Sequence, residues 1–110
     1  MNHPNSWVII KVTDTGSTPI YKVLAGWAGS YLNGTSWQLN SGIVKVEDCD
    51  LEHFIFTGYS GSMYKCRKDS YGIRMGTAGV WDTLQKNYPG QVKLMDEKTD
   101  WLNLITENKG

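Results

Sequence analysis

The sequence predicts an α+β fold, in which a strongly twisted antiparallel sheet of about six strands carries one packed helix. Three observations support this prediction. Most apolar segments are short and rich in β-branched and aromatic residues, turn-forming residues separate them, and one segment near residues 77–88 has helical spacing. A length of 110 residues fits a single domain over 1–110 and is too short for two ordinary domains.

The first half of the chain is predicted to form strands. Residues 7–12 and 20–27 are rich in Val, Ile, Trp and Tyr. The Asn-Gly pair at 33–34 is typical of a tight hairpin turn, because both central residues of that turn need positive φ. Residues 37–47 supply the returning strand, with a break expected at 41–42 because a strand glycine often marks an irregularity.

A second hairpin is predicted where residues 52–57 and 62–67 flank the turn 58–61. Apolar side chains on both of its faces indicate that this hairpin is covered on two sides. A four-residue loop would set the register. The opposite pairs would then be Phe56–Met63, Ile55–Tyr64, His53–Cys66 and Glu52–Arg67.

The helix is indicated by Val80, Trp81, Leu84 and Tyr88, with Thr77 as its cap. Pro-Gly at 89–90 ends it. Residues 91–95 and 101–106 can pair as a last hairpin, and a short helix capped by Thr99 is the alternative for 101–106. A similarity between 26–31 and 58–64 leaves a duplicated strand–turn–strand and chance as open explanations.

Composition restricts the classes of partner that the protein can bind and indicates its cellular compartment. Eleven basic and eleven acidic residues cancel, which argues against a whole-molecule attraction to nucleic acid or an anionic membrane. The N-terminal residues do not resemble a signal peptide, and no apolar stretch approaches the ~18 residues that cross a bilayer. Two cysteines do not form a disulfide framework. We therefore expect a cytoplasmic protein with no membrane partner.

Catalytic and metal signatures are weak. Cys66 opposite His53 would allow a nucleophile pair, but no third group orients it, and a buried cysteine beside a histidine is the preferred interpretation. No paired metal-ligand spacing occurs, so no metal site is predicted. Neither a Walker pattern nor GxGxxG is present, so no cofactor is predicted.

Basic and aromatic residues alternate over 64–74, a pattern that suits a nucleotide or single-stranded nucleic acid. The glycine-rich loop 72–79 leads into the helix, whose start can hold an anion. The alternative is a solvated edge, neutralised by the acidic residues of 47–52. The residues concerned are Lys65, Arg67, Lys68, Tyr71 and Arg74.

The uncharged stretch 25–42, AGWAGSYLNGTSWQLNSG, contains Trp27, Tyr31 and Trp37. Tyr59 lies in a similar glycine-rich turn. If these side chains are exposed, they are binding anchors, since Trp and Tyr contribute strongly to interfaces. If they are buried, they belong to the core.

The preferred interpretation is a small non-catalytic binding module that acts on another protein. By base rate it would be an accessory or inhibitor protein of the kind found in phages and mobile elements. The first alternative is binding of a nucleotide, another anionic small ligand or single-stranded nucleic acid through 64–74 and 72–79. The second is a Cys/His enzyme.

Overall fold

The structure, a computed structural model, describes residues 1–14, 16, 18–28 and 36–107, without the side chains of 75, 106 and 107. Seven strands and two α-helices occur in these residues, and a 3-10 turn at Lys68–Ser70 follows the sixth strand. The elements are β1 Ser6–Val12, β2 Ile20–Trp27, β3 Ser36–Leu39, β4 Ile43–Asp48, β5 His53–Gly58, β6 Met63–Arg67, α1 Met75–Asn87, β7 Val92–Leu94 and α2 Trp101–Glu107.

The predicted α+β class is confirmed, but the strands form two antiparallel sheets rather than one. The larger sheet has the order β3-β2-β1-β7, and the smaller has the order β4-β5-β6. The chain passes from one sheet to the other at the break predicted for 41–42. Gly42 has a φ of 137°, which a residue with a side chain rarely adopts, so glycine permits this change of direction.

Strand β1 is buried on both of its faces. Its residues Trp7 and Ile9 face the smaller sheet and join a core that includes Phe56. Val8 and Ile10 point the other way and pack under α1. A strand covered on both faces reads as a continuous apolar run, which explains the sequence WVII.

The second hairpin forms between β5 and β6, but its predicted register is wrong by one residue. The loop has three residues, because Gly58 N–H donates to Ser62 O at 2.9 Å and Gly61 N–H donates to Gly58 O at 2.9 Å. Gly61 has a φ of 90°, as such loops require at their last position. The actual pairs are Thr57–Met63, Phe56–Tyr64, Ile55–Lys65, Phe54–Cys66 and His53–Arg67.

The C-terminal region corrects a further prediction. Strand β7 pairs with β1, so the last hairpin does not form, and the helical alternative for 101–106 is confirmed as α2. Asp100 provides its cap, since its Oδ1 accepts from Asn103 N–H at 3.2 Å. Thr99 instead donates its hydroxyl to Asp96 O at 2.6 Å.

Two predictions concern residues outside the described part of the chain. The Asn-Gly turn at 33–34 lies there, although β2 and β3 on either side of it pair antiparallel, as expected of a hairpin. Residues 29–31 also lie there, so the similarity between 26–31 and 58–64 stays a prediction.

Candidate functional site

Trp37 lies on β3, at the edge of the larger sheet. Its side chain is 51% exposed, and the neighbouring Ser36 and Gln38 are also exposed. Strand β3 has no charged residue, and among the described strands only β2 pairs with it. An uncharged edge strand with an exposed indole offers both backbone hydrogen-bonding groups and an aromatic anchor.

The other two anchors from the same stretch differ from Trp37. Trp27 is only partly exposed, packs against the core, and donates its Nε1–H to His3 O at 3.1 Å. Tyr31 lies outside the described residues. Of the two members that the structure describes, Trp37 is therefore the more accessible.

A groove of about 290 Å³ lies on the outer face of the larger sheet, where α1 covers that face only in part. Leu39 lines this outer groove and lies on the same face as Trp37, two residues away. Leu84 of α1 and Tyr88, which directly follows the helix, also line it. The sequence does not predict the groove, although the apolar Tyr88 at the end of the helical pattern is a signal of it.

The basic and aromatic residues of 64–74 do not form one continuous surface. Arg67 donates two hydrogen bonds to Asp69, each 3.0 Å long, which raise the pKa of Arg67 and lower that of Asp69. Lys68 contacts Asp48 at 2.7 Å and lies 4.7 Å from the centre of the Phe54 ring. Ion pairs with nearby carboxylates therefore engage Arg67 and Lys68.

The remaining residues of this group have separate positions. Lys65 is half-buried opposite Ile55, and Arg74 is exposed at the start of α1. Tyr71 is a structural residue, because its hydroxyl donates to Met95 O at 2.5 Å and its ring contacts Trp7. A nucleic acid bound along 64–74 would therefore not meet a continuous surface of free basic and aromatic side chains.

Tyr59 lies in the loop between β5 and β6 and is 69% exposed. Its ring lies against Gly42, where a Cβ atom would approach ring carbons to 2.9 Å. This second exposed aromatic belongs to the smaller sheet, whereas Trp37 belongs to the larger one.

Cys66 and His53 lie on opposite faces of the smaller sheet, so the juxtaposition predicted for them does not form. Cys66 is fully buried opposite Phe54, and burial raises the pKa of its thiol. His53 is 3.0 Å from Asp50 Oδ1. The pKa of Asp50 is lowered to about 2, chiefly by the Glu52 N–H that donates to it and then by His53.

Arg74 lines a second cavity, of about 260 Å³, at the start of α1. Ser6 and Gly26 from the outer face of the larger sheet lie beneath it, and Thr77 of α1 lies beside it. Neither Ser6 nor Gly26 was singled out from sequence, because they approach Arg74 only through the packing of helix on sheet.

Comparison with protein-family models, curated proteins and solved structures found no match to this chain. No helix in the described part of the chain is both long enough and apolar enough to cross a bilayer. In that same part, no three His, Cys, Asp or Glu side chains come together as a metal site requires.

Proposed function

We propose that this chain is a small non-catalytic binding module that acts through contact with another protein. The contact surface, which we call the β3 surface, consists of Ser36, Trp37 and Gln38 together with the adjoining outer groove. The observation that carries the proposal is the 51% exposure of Trp37 on an uncharged edge strand.

The chemistry of the β3 surface favours a protein over a nucleic acid. Nucleic-acid affinity depends mainly on Lys and Arg contacts to phosphates. The strand has no basic residue, and Lys22 is the cation that lines the outer groove. A protein partner can add a strand to an exposed sheet edge and place an apolar side chain in an adjacent groove.

The proposal includes a role as an accessory or inhibitor protein, on the base rate for short domains without a catalytic signature. It also includes a cytoplasmic location. Cys49 and Cys66 are both free thiols, as is usual in a reducing compartment.

Affinity capture tests the proposal. The tagged chain is incubated with a lysate of the organism that encodes it, and any captured protein is identified, purified and titrated by calorimetry. Trp37→Ala is expected to weaken binding at least tenfold, as loss of an interface anchor does. Its stability should change by no more than about 0.5 kcal/mol, because the side chain is half exposed.

Tyr59→Ala is the matched control, since it removes an equally prominent aromatic from the other sheet. Binding that survives Tyr59→Ala and is lost with Trp37→Ala supports the β3 surface. The proposal is wrong if the captured partner binds Trp37→Ala as tightly as the native chain. It is also wrong if the native chain captures no protein that binds it again in purified form.

The nucleotide or single-stranded nucleic acid alternative through 64–74 has less support. Arg67 and Lys68 are engaged by Asp69 and Asp48, which reduces the positive potential that a phosphate backbone requires. Arg74 is the cation of this group that lies beside a cavity.

A further inference from the structure

Strand β3 is the uncharged edge among the described strands of the two sheets. The sheets end in four edge strands, β3, β7, β4 and β6, and each of the last three carries at least one Lys, Arg, Asp or Glu. Charged side chains on an edge strand oppose its pairing with the edge of another sheet. Strand β3, with the sequence SWQL, has no charge to prevent such pairing.

The free side of β3 presents the backbone groups of Trp37 and Leu39. Asn40 N–H donates to Val23 O at 3.0 Å, so the N–H of Asn40 points to β2. Successive residues of an antiparallel strand direct their backbone groups to opposite sides. Gln38 therefore faces β2 as Asn40 does, whereas Trp37 and Leu39 face away from it, where no strand of the described residues lies.

The side chains of Trp37 and Leu39 share the outer face of the sheet, because the two residues are separated by one residue of the strand. Leu39 lines the outer groove of about 290 Å³, whereas the half-exposed Trp37 does not line it. Gln38 between them points to the opposite face and is exposed. An aromatic anchor and an apolar groove therefore follow each other along one edge.

This spacing makes the edge complementary to itself. If two β3 strands pair antiparallel about a two-fold axis at Gln38, Trp37 of each copy lies directly opposite Leu39 of the other. The backbone groups of these two residues face the free edge, so each such pair can exchange both of its backbone hydrogen bonds. Opposite side chains lie on the same face, which brings each indole against the leucine that lines the other copy's outer groove.

We propose that the β3 surface binds a second copy of this chain, so that the free protein is a two-fold symmetric dimer with one continuous sheet across β3. Charge favours this occupant, because two uncharged strands bring no like charges together. The exposed Gln38 amides meet at the axis, and an amide can both donate to and accept from an identical amide.

The inference rests on the proposed function, because it names an occupant of the same surface. A foreign protein that binds the β3 surface would have to displace the second copy. Dimerisation would therefore regulate access to the surface, and dilution of the chain would favour capture of the foreign protein.

Sedimentation velocity of the purified chain over about 5 to 500 µM tests the dimer. A strand of four residues provides a small interface, so a dissociation constant on the order of 10–100 µM is expected. Trp37→Ala should weaken association at least tenfold, since the indole is the anchor of the interface. Tyr59→Ala removes an exposed aromatic from the other sheet and should associate as the native chain does.

Charge exchange at Gln38 tests the position of the axis. Gln38→Glu and Gln38→Lys each place two like charges directly opposite each other, so either variant alone should associate several-fold more weakly than the native chain. An equimolar mixture of the two places opposite charges together and should recover the native affinity or exceed it. Gln91→Glu and Gln91→Lys, at an exposed glutamine beside β7, are the matched controls and should associate as the native chain does, alone or mixed.

The dimer is refuted if the native chain stays monomeric at about 500 µM. It is also refuted if the two Gln38 variants associate no better mixed than alone, or if Trp37→Ala leaves association unchanged. Failure of this inference is distinguishable from failure of the proposed function. A monomeric chain that captures a foreign protein through Trp37 refutes the dimer alone, whereas a dimer that captures no foreign protein refutes the proposed function alone.

Discussion

Tyr71→Phe removes a single hydroxyl that joins β1 to the segment after β7. That hydroxyl accepts from Ile9 N–H at 3.2 Å and donates to Met95 O at 2.5 Å. It extends the hydrogen bonding of β1 just beyond the point where β7 ends at Leu94. Phenylalanine keeps the ring against Trp7 and so isolates the contribution of the hydroxyl.

At neutral pH the variant is expected to be less stable by about 1–3 kcal/mol, which is the usual cost of leaving buried groups without a hydrogen-bond partner. The residue that loses its acceptor, Ile9, is fully buried, so solvent does not replace the lost bond. This cost should appear as a lower midpoint of urea unfolding with an unchanged slope.

At alkaline pH the difference should shrink. Burial raises the pKa of Tyr71 from 10.0 to about 12. The hydrogen bond from Ile9 N–H lowers this pKa, but by less than burial raises it. Between these values the unfolded chain has lost the phenol proton and the folded chain has kept it, so rising pH favours unfolding. One such proton changes stability by about 1.4 kcal/mol for each pH unit.

The phenylalanine variant lacks this proton. Its stability should therefore fall less steeply above pH 10, and the two curves should converge by about pH 11 to 12. Burial also raises the pKa values of Tyr21, Tyr64 and Cys66, but those groups are present in both proteins and cancel in the difference.

Urea unfolding at pH 7 and at steps from pH 9.5 to about 11.5 measures both effects. Tyr59→Phe, which changes an exposed tyrosine, is the control for loss of a hydroxyl and should match the native stability at pH 7. The reasoning fails if Tyr71→Phe matches the native stability at pH 7. It also fails if the two curves remain parallel through the alkaline range.

Two further predictions follow from packing and burial. Gly26→Ala should cost about 1–3 kcal/mol by urea unfolding, because its Cβ would lie 2.8 Å from Thr77 Cγ2. Gly79 lies in α1, and a Cβ atom there would have no neighbour within 4 Å, so Gly79→Ala should instead increase the free energy of unfolding by about 0.5–1 kcal/mol. Equal effects of the two substitutions would contradict the packing described for Gly26. A thiol reagent at pH 7 should modify exposed Cys49 quickly and buried Cys66 only on unfolding, as measured with and without urea. Reaction of Cys66 in the folded chain at the rate of free cysteine would reopen the Cys/His enzyme hypothesis.

Local patterns predicted most of the elements. Val80, Trp81 and Leu84 recur at helical spacing and do pack against the sheet in α1. The hairpin around Tyr59 forms because glycines flank a short turn between β-branched and aromatic runs. Its register was missed because a three-residue loop with positive φ at Gly61 and a four-residue loop are equally compatible with the sequence GYSG.

The candidate sites were less predictable. The stretch 25–42 indicated possible anchors, but nothing in it distinguishes Trp27, which packs on the core, from Trp37, which lies at a sheet edge. The basic stretch 64–74 contains residues with unrelated environments, since Tyr71 is a structural bridge and Arg74 lines a cleft.

By itself the sequence determined the α+β class, the strand-rich segments, the helix near 77–88 and the break in the strand pattern at 41–42. These depend on interactions between residues that are close along the chain, such as side-chain periodicity and the φ requirements of turns. Only the tertiary structure decided that the strands form two sheets, that Cys66 and His53 lie on opposite faces of the smaller sheet, and that Gly26 lies beneath Thr77 of α1. These outcomes depend on contacts between distant segments, and a shift of one residue in a strand moves every side chain to the other face.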